Sequence, residues 1–129
     1  MILVDTSAWV EFLRDAATPV ADRLEALLDD EVATCGAVRM EVLAGARDDV
    51  HLQRLRRLLA RAVVLPTTEA DYDDAATLYQ TGRRSGVTMR GLVDCLIAAV
   101  AIRHDVPVLH ADRDFVALGR VTSLRLDQA

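Results

Sequence analysis

Short apolar runs along the chain alternate with longer stretches in which apolar positions recur every three or four residues. Ile2, Leu3 and Val4 form an unbroken apolar run with β-branched members. With no polar alternation, such a run predicts a strand buried on both faces. Asp5 ends it, and Thr6 and Ser7 follow as caps for a helix beginning near Ala8 and reaching Arg14. Pro19 sits near the start of a second helix, Val20 to Asp30, with Val20, Leu24, Leu27 and Leu28 on one face. Val32 to Cys35 predicts a second strand, broken by Gly36. Val38, Val42 and Ala46 keep a four-residue spacing, which predicts a helix from Val38 to Ala46. Leu52, Leu55, Leu58 and Leu59 mark another amphipathic helix, with Arg54, Arg56, Arg57 and Arg61 mostly on its other faces. Val63, Val64 and Leu65 predict a third buried strand, stopped by Pro66.

Thr68 and Asp71 have the spacing of a capping box whose acid is shortened to Asp. The long helix that follows runs to about Ser85, where Gly86 ends it. Gly91 precedes a helix from Leu92 to His104 that is apolar nearly all round, so it is expected to be central and buried. Pro107 to Leu109 predicts a fourth strand, Asp112 to Leu118 a last short helix, and Val121 to Leu126 an edge strand. Strands alternating with helices predict an α/β fold, a three-layer α/β/α sandwich with a parallel central sheet of four to five strands. The length suits one domain, residues 1–129, with a real core.

Composition narrows the function. No stretch approaches the ~20 apolar residues of a membrane span, and the N-terminal apolar run stops at Asp5 without the form of a signal peptide. Cys35 and Cys95 lie in apolar surroundings, without metal-ligand or disulfide spacing, and are expected to be reduced core residues of a cytoplasmic protein. The net charge of −5 argues against a general nucleic-acid binder. A cluster of carboxylates awaiting cations would make that sum misleading. Every cationic side chain is arginine, so no lysine base or Schiff-base chemistry is available.

The acids fall at related places. Asp5 ends the first strand, Glu41 lies in the helix after the second, Asp94 opens the apolar helix, and Asp112 and Asp114 follow the fourth strand. In a parallel sheet all strand-to-helix junctions share one edge, so these carboxylates are expected to converge. Taken singly, Asp5 reads equally as a helix cap and Asp94 as a first-turn acid favoured by the helix dipole. Taken together they would repel unless a cation sat between them. Oxygen-only ligands suit Mg²⁺ or Mn²⁺ rather than zinc. His51, His104 and His110 fall in different contexts and do not suggest the paired histidines of a metal-free ribonuclease.

Four segments carry a family resemblance: Val4-Asp5-Thr6-Ser7-Ala8-Trp9, Met40-Glu41-Val42-Leu43-Ala44-Gly45, Asp94-Cys95-Leu96-Ile97-Ala98-Ala99 and Asp112-Arg113-Asp114-Phe115. With these segments in this order, the chain resembles PIN-domain ribonucleases, specifically VapC-type toxins of bacterial toxin–antitoxin pairs. The resemblance implies that Asp5, Glu41, Asp94 and Asp112 form an acidic metal site, that Asp114 is a further acid, and that Ser7 or Thr6 is a hydroxyl beside the first Asp. His110 departs from the pattern, because relatives often carry Thr there. The implied activity is Mg²⁺-dependent endonucleolytic cleavage of RNA, tRNA or rRNA, by metal-activated water. The products would be 5′-phosphate and 3′-hydroxyl ends, and translation would be inhibited; Mn²⁺ would substitute for Mg²⁺. The implied partners are RNA, a VapB-type antitoxin that places an arginine in the acidic pocket, and a second copy of the chain. The apolar surface of the helices between Val20 and Leu59 is the expected dimer face. Arg83, Arg84, Arg90 and Arg113 are the candidate phosphate contacts.

The competing readings are weaker. A receiver domain needs a lysine that is absent here. A haloacid-dehalogenase-type phosphatase wants an Asp where Ser7 stands. A non-catalytic α/β interaction module, or a DNA-directed PIN-like nuclease, remains as the alternative.

Overall fold

A computed structural model describes residues 1–127. Its elements, in chain order, are β1 (Ile2–Val4), α1 (Thr6–Leu13), α2 (Pro19–Leu27), β2 (Val32–Thr34), α3 (Gly36–Ala44), α4 (Asp49–Leu59), β3 (Val63–Val64), α5 (Glu69–Arg84), α6 (Leu92–Arg103), β4 (Val108–Leu109) and α7 (Arg113–Val121). The strands form one parallel sheet in the order β3-β2-β1-β4. Leu3 pairs with Ala33 on one side and Val108 on the other, which makes β1 an inner strand. All three of its residues are buried, as an uninterrupted apolar run requires. Burying each of Ile2, Leu3 and Val4 stabilises the fold by about 1.5–3 kcal/mol.

The helices on either side complete the core. Trp9 of α1 is fully buried and meets Phe12 edge-on at 6.3 Å between ring centroids. In α2 and α4 the apolar positions Leu24, Leu27, Leu55 and Leu59 all turn inward, so most of the surface expected to form a dimer face is core. The capping box opens α5: the Thr68 side chain accepts from the Asp71 backbone, and Asp71 Oδ2 accepts from the Thr68 N–H at 2.9 Å. At its other end Gly86 has φ +80°, the left-handed conformation that glycine adopts freely. Gly86 N–H bonds Arg83 O at 3.1 Å and Val87 N–H bonds Gly82 O at 2.8 Å, a Schellman ending that turns the chain toward α6. Asp71, wholly buried, is clasped by Arg103 through two bonds of 2.8 and 3.0 Å, which ties α5 to the end of α6.

Four expectations are corrected. Val63 and Val64 are 49% and 58% exposed, because β3 is an outer strand; only Leu65 turns inward. The segment after residue 118 does not become a fifth strand: α7 continues to Val121, and Leu126 makes a single bridge to Val108. Thr6 and Ser7 lie inside α1, and Asp5 is its cap. The first turn of α6 is open, with Leu92 58% exposed and Val93 and Asp94 half-buried, because its N-terminus stands at the sheet edge while Ile97 to Ala101 cross the interior.

Candidate active site

The turns after β1 and β4 carry Asp5, Asp112 and Asp114, while Glu41 comes from within α3 and Asp94 from the first turn of α6, which follows α5 and not a strand. Asp5 follows β1 and caps α1, its Oδ2 accepting from the Ser7 N–H at 3.0 Å and the Ser7 hydroxyl at 2.5 Å. Its other oxygen, Oδ1, is buried and has no hydrogen-bond partner. Burial, the larger influence, raises the Asp5 pKa, and the bonds from Ser7 oppose it. The Ser7 hydroxyl also accepts from the Ala111 N–H at 2.9 Å. It therefore joins the end of β1 to the turn after β4. Thr6 serves a different acid: its hydroxyl donates to Glu41 Oε1 at 2.7 Å, holding the α3 carboxylate beside α1.

Asp112 caps α7, accepting from the Asp114 N–H at 3.0 Å. Asp114, only 7% exposed, is turned inward from the first turn of that helix. Asp94, in the first turn of α6, completes a tight trio: one oxygen of each of Asp94, Asp112 and Asp114 lies within 4.8 Å of the others. Asp5 and Glu41 stand outside that spacing but act on Asp94 through their charge. Burial first, then Asp5, Asp112, Glu41 and Asp114, push the Asp94 pKa up to about 7. Asp114, a further acid in the sequence reading, is thus a full member of the trio. The sequence signal for this was its position two residues after Asp112, in the first turn of a helix capped by that residue.

His110 ends β4. Its Nδ1 accepts from the Asp112 N–H at 3.2 Å, and its ring lies 5.5 Å from Phe115. Desolvation lowers its pKa, so the ring is held neutral with Nδ1 as the acceptor.

The arginines divide. Arg90 is not free: its Nη2 donates to Asp112 Oδ1 at 2.6 Å and its Nε to Asp114 Oδ2 at 3.1 Å. Arg83 lies over the Tyr79 ring at 5.8 Å, and Arg84 is exposed at the end of α5. Arg113 lines a cleft of about 590 Å³ beside Asp114, together with Arg90 and Arg120. Among the described residues neither Arg113 nor Arg120 forms an ion pair. Arg120 was not singled out in the sequence, because a helix ending at Leu118 would not have carried it. Two turns after Arg113 on the longer α7, it falls on the same face. A separate apolar groove of about 450 Å³ runs between α3, α5 and α6, with the exposed side chains of Met40, Tyr72 and Leu92 on it.

The donor set fits a hard divalent cation. It is made of carboxylate oxygens, it includes a buried oxygen with no other partner, and the charges of its other members raise the proton affinity of Asp94.

Residues 2–121 match the PIN domain model. The chain is 43% identical to Ribonuclease VapC11 of Mycobacterium tuberculosis, over 97% of this chain and 96% of that protein. The crystal structure of VapBC2 from Rickettsia felis, bound to a DNA fragment from its promoter, superposes with a TM-score of 0.78 at 20% identity, covering 98% of both chains. The VapBC-5 structure from Mycobacterium tuberculosis does so at 0.69 and 28% identity, covering 99% of this chain and 98% of that one. The parallel sheet, the acids at its edge and this likeness along nearly the whole chain agree: the protein belongs to the PIN-domain family, among the VapC ribonucleases.

Proposed function

We propose that the protein is a Mg²⁺-dependent endoribonuclease, with Mn²⁺ as a substitute, acting as the toxin of a toxin–antitoxin pair. The observation that carries this reading is the convergence of Asp94, Asp112 and Asp114 within 4.8 Å, with Asp5 and Glu41 close enough to press on Asp94. Asp5, Asp94 and Asp112 would hold the ion, with Glu41 and Asp114 completing the acidic set. The bound ion would supply charge stabilisation at the phosphoryl oxygens and lower the pKa of water.

The chain's own residues do the rest. Ser7 fixes the Asp5 carboxylate through Oδ2 and leaves Oδ1 without a hydrogen-bond partner. Thr6 fixes Glu41 in the same way. Asp94, whose pKa is pushed up to about 7 in the metal-free cluster, would give up its proton to take the ion. Arg113, with Arg83 and Arg84 in the last turn of α5, would bind the RNA phosphates. A guanidinium fork suits phosphate, and the substrate's charge needs such partners beside an acidic site. The substrate class is structured cellular RNA, tRNA or rRNA, and its cleavage would stop translation.

The partners follow from the same reading. A VapB-type antitoxin would silence the toxin by bringing a cation to the carboxylates. The apolar groove at Met40, Tyr72 and Leu92 would be covered by a second copy of the chain. Cys35 and Cys95, both buried and free, suit a reducing cytoplasm. No helix among the described residues is long and apolar enough to cross a membrane.

Purified protein incubated with total cellular RNA tests the reading. Discrete cleavage is expected with Mg²⁺ or Mn²⁺ and should vanish in EDTA; undiminished cleavage in chelator would sink the mechanism.

A further inference from the structure

Arg90 occupies an unusual place for a cation expected to bind phosphate. It stands on the segment between α5 and α6, next to Met89, which is buried and packs close to Gly82. From that anchor its guanidinium reaches two of the three clustered acids, Asp112 at 2.6 Å and Asp114 at 3.1 Å. Asp94, the third member, receives no donor from it. The Arg90 side chain stays 60% exposed, so little burial is lost if it moves.

We propose that Arg90 is an internal competitor of the divalent cation. It stabilises the metal-free acid cluster and thereby sets how much metal the site needs. The inference rests on the metal-dependent reading above. Like charges this close repel, and a guanidinium at two of them removes part of the repulsion. A divalent ion gains less from a cluster that is already partly neutralised, so its affinity falls by whatever Arg90 contributes to the empty site. Arg90 also shares the cleft of about 590 Å³ with Arg113 and Arg120, into which its head can withdraw. A partner's cation seeking the same carboxylates meets Arg90 first.

Mn²⁺ titration by calorimetry on the RNA-free full chain tests this, with melting followed in parallel in EDTA. Arg90→Gln keeps much of the side chain and removes the charge. It is expected to bind Mn²⁺ about three- to tenfold more tightly than the wild type. It should also melt lower in EDTA and gain more from added Mn²⁺. Arg90→Lys keeps the charge but loses the two-pronged fork; it should fall between the two, and it keeps the comparison open if the Gln variant does not fold. Wild-type or weaker Mn²⁺ affinity in Arg90→Gln, with normal binding by the wild type, overturns the proposal alone. No Mn²⁺ uptake by the wild type overturns the metal-dependent reading and this proposal together.

Discussion

The Ser7 hydroxyl accepts a 2.9 Å hydrogen bond from the Ala111 N–H, 104 residues further along the chain. The same oxygen donates to Asp5 at 2.5 Å. One small side chain thus sets the spacing between the carboxylate after β1 and the turn that carries Asp112 and Asp114. Ser7→Ala keeps the backbone bond that caps α1 but cuts both of these. It is expected to lower stability by about 1–2 kcal/mol. Mn²⁺ affinity should weaken by about tenfold or more, as for other residues that orient a ligand. Thermal melting and Mn²⁺ titration check the two effects, and unchanged metal affinity would show that Asp5 needs no such support.

The raised Asp94 pKa makes metal binding and stability depend on pH in linked ways. Protons compete with the ion for Asp94, so Mn²⁺ affinity should rise about tenfold between pH 6 and pH 8, the change in ionised fraction for a pKa of about 7. In the metal-free protein the sign is opposite. A carboxyl whose folded pKa lies above the unfolded value stabilises fully below the unfolded pKa, and that contribution is lost as pH rises through the folded one. Asp94 should therefore make the metal-free protein progressively less stable as pH rises from about 4 through 7, and the raised pKa of Asp5 acts in the same direction. Asp71 runs the other way. Bonding to Arg103 lowers its pKa, so its contribution is present above the unfolded pKa and lost as pH falls through the folded one. Melting curves in EDTA across pH 3–8 are expected to pass through a maximum on the acid side of neutrality, and added Mn²⁺ should move that maximum upward.

Arg113 and Arg120 share one face of α7 and one cleft beside Asp114. If that cleft carries the RNA strand, replacing both with Gln removes two phosphate contacts. The plot of log affinity for RNA against log salt should then flatten by about 1.4, some 0.7 per phosphate on a single strand. Melting temperature should barely move, because neither side chain has an ion-pair partner among the described residues. Binding measured between 50 and 300 mM salt with a non-cleavable RNA checks this, and an unchanged slope would place the strand elsewhere.

Much of this architecture was legible because each signal was local. The β1 run, the Thr68–Asp71 capping box and the Gly86 stop follow from residues close together in sequence, and the parallel sheet from the alternation of strands with helices. What was lost depended on position in the finished sheet. Val63 and Val64 have the composition of a buried strand, and only their outer place in the sheet exposes them. The apolar α6 looked buried throughout, yet its first turn opens at the sheet edge and leaves Asp94 half-exposed. The candidate acids could be named from chain order and family resemblance. Their spacing could not: the position of Asp114 two residues after Asp112 was a local signal, but nothing local showed that Glu41 stands outside the trio. Nor did the sequence reveal that Arg90, among several similar arginines, would lie across two of those acids.

The central claim is that these carboxylates bind a divalent ion for RNA cleavage, and Asp94→Asn tests it most directly. The change keeps the side chain's shape and removes the charge that four neighbouring acids oppose. Cleavage of RNA and melting temperature should be measured together, with EDTA and with Mg²⁺. The account predicts a loss of cleavage of at least about a hundredfold, the scale seen when a metal site loses a needed group. It also predicts that in EDTA at pH 8 the variant is more stable than the wild type, by roughly 1 kcal/mol after discounting for solvent at the half-exposed site, and that Mg²⁺ then raises its melting temperature little. An Asp94→Asn protein that is destabilised in EDTA yet still cuts RNA would contradict the account, because Asp94 would then serve the α6 terminus rather than a metal.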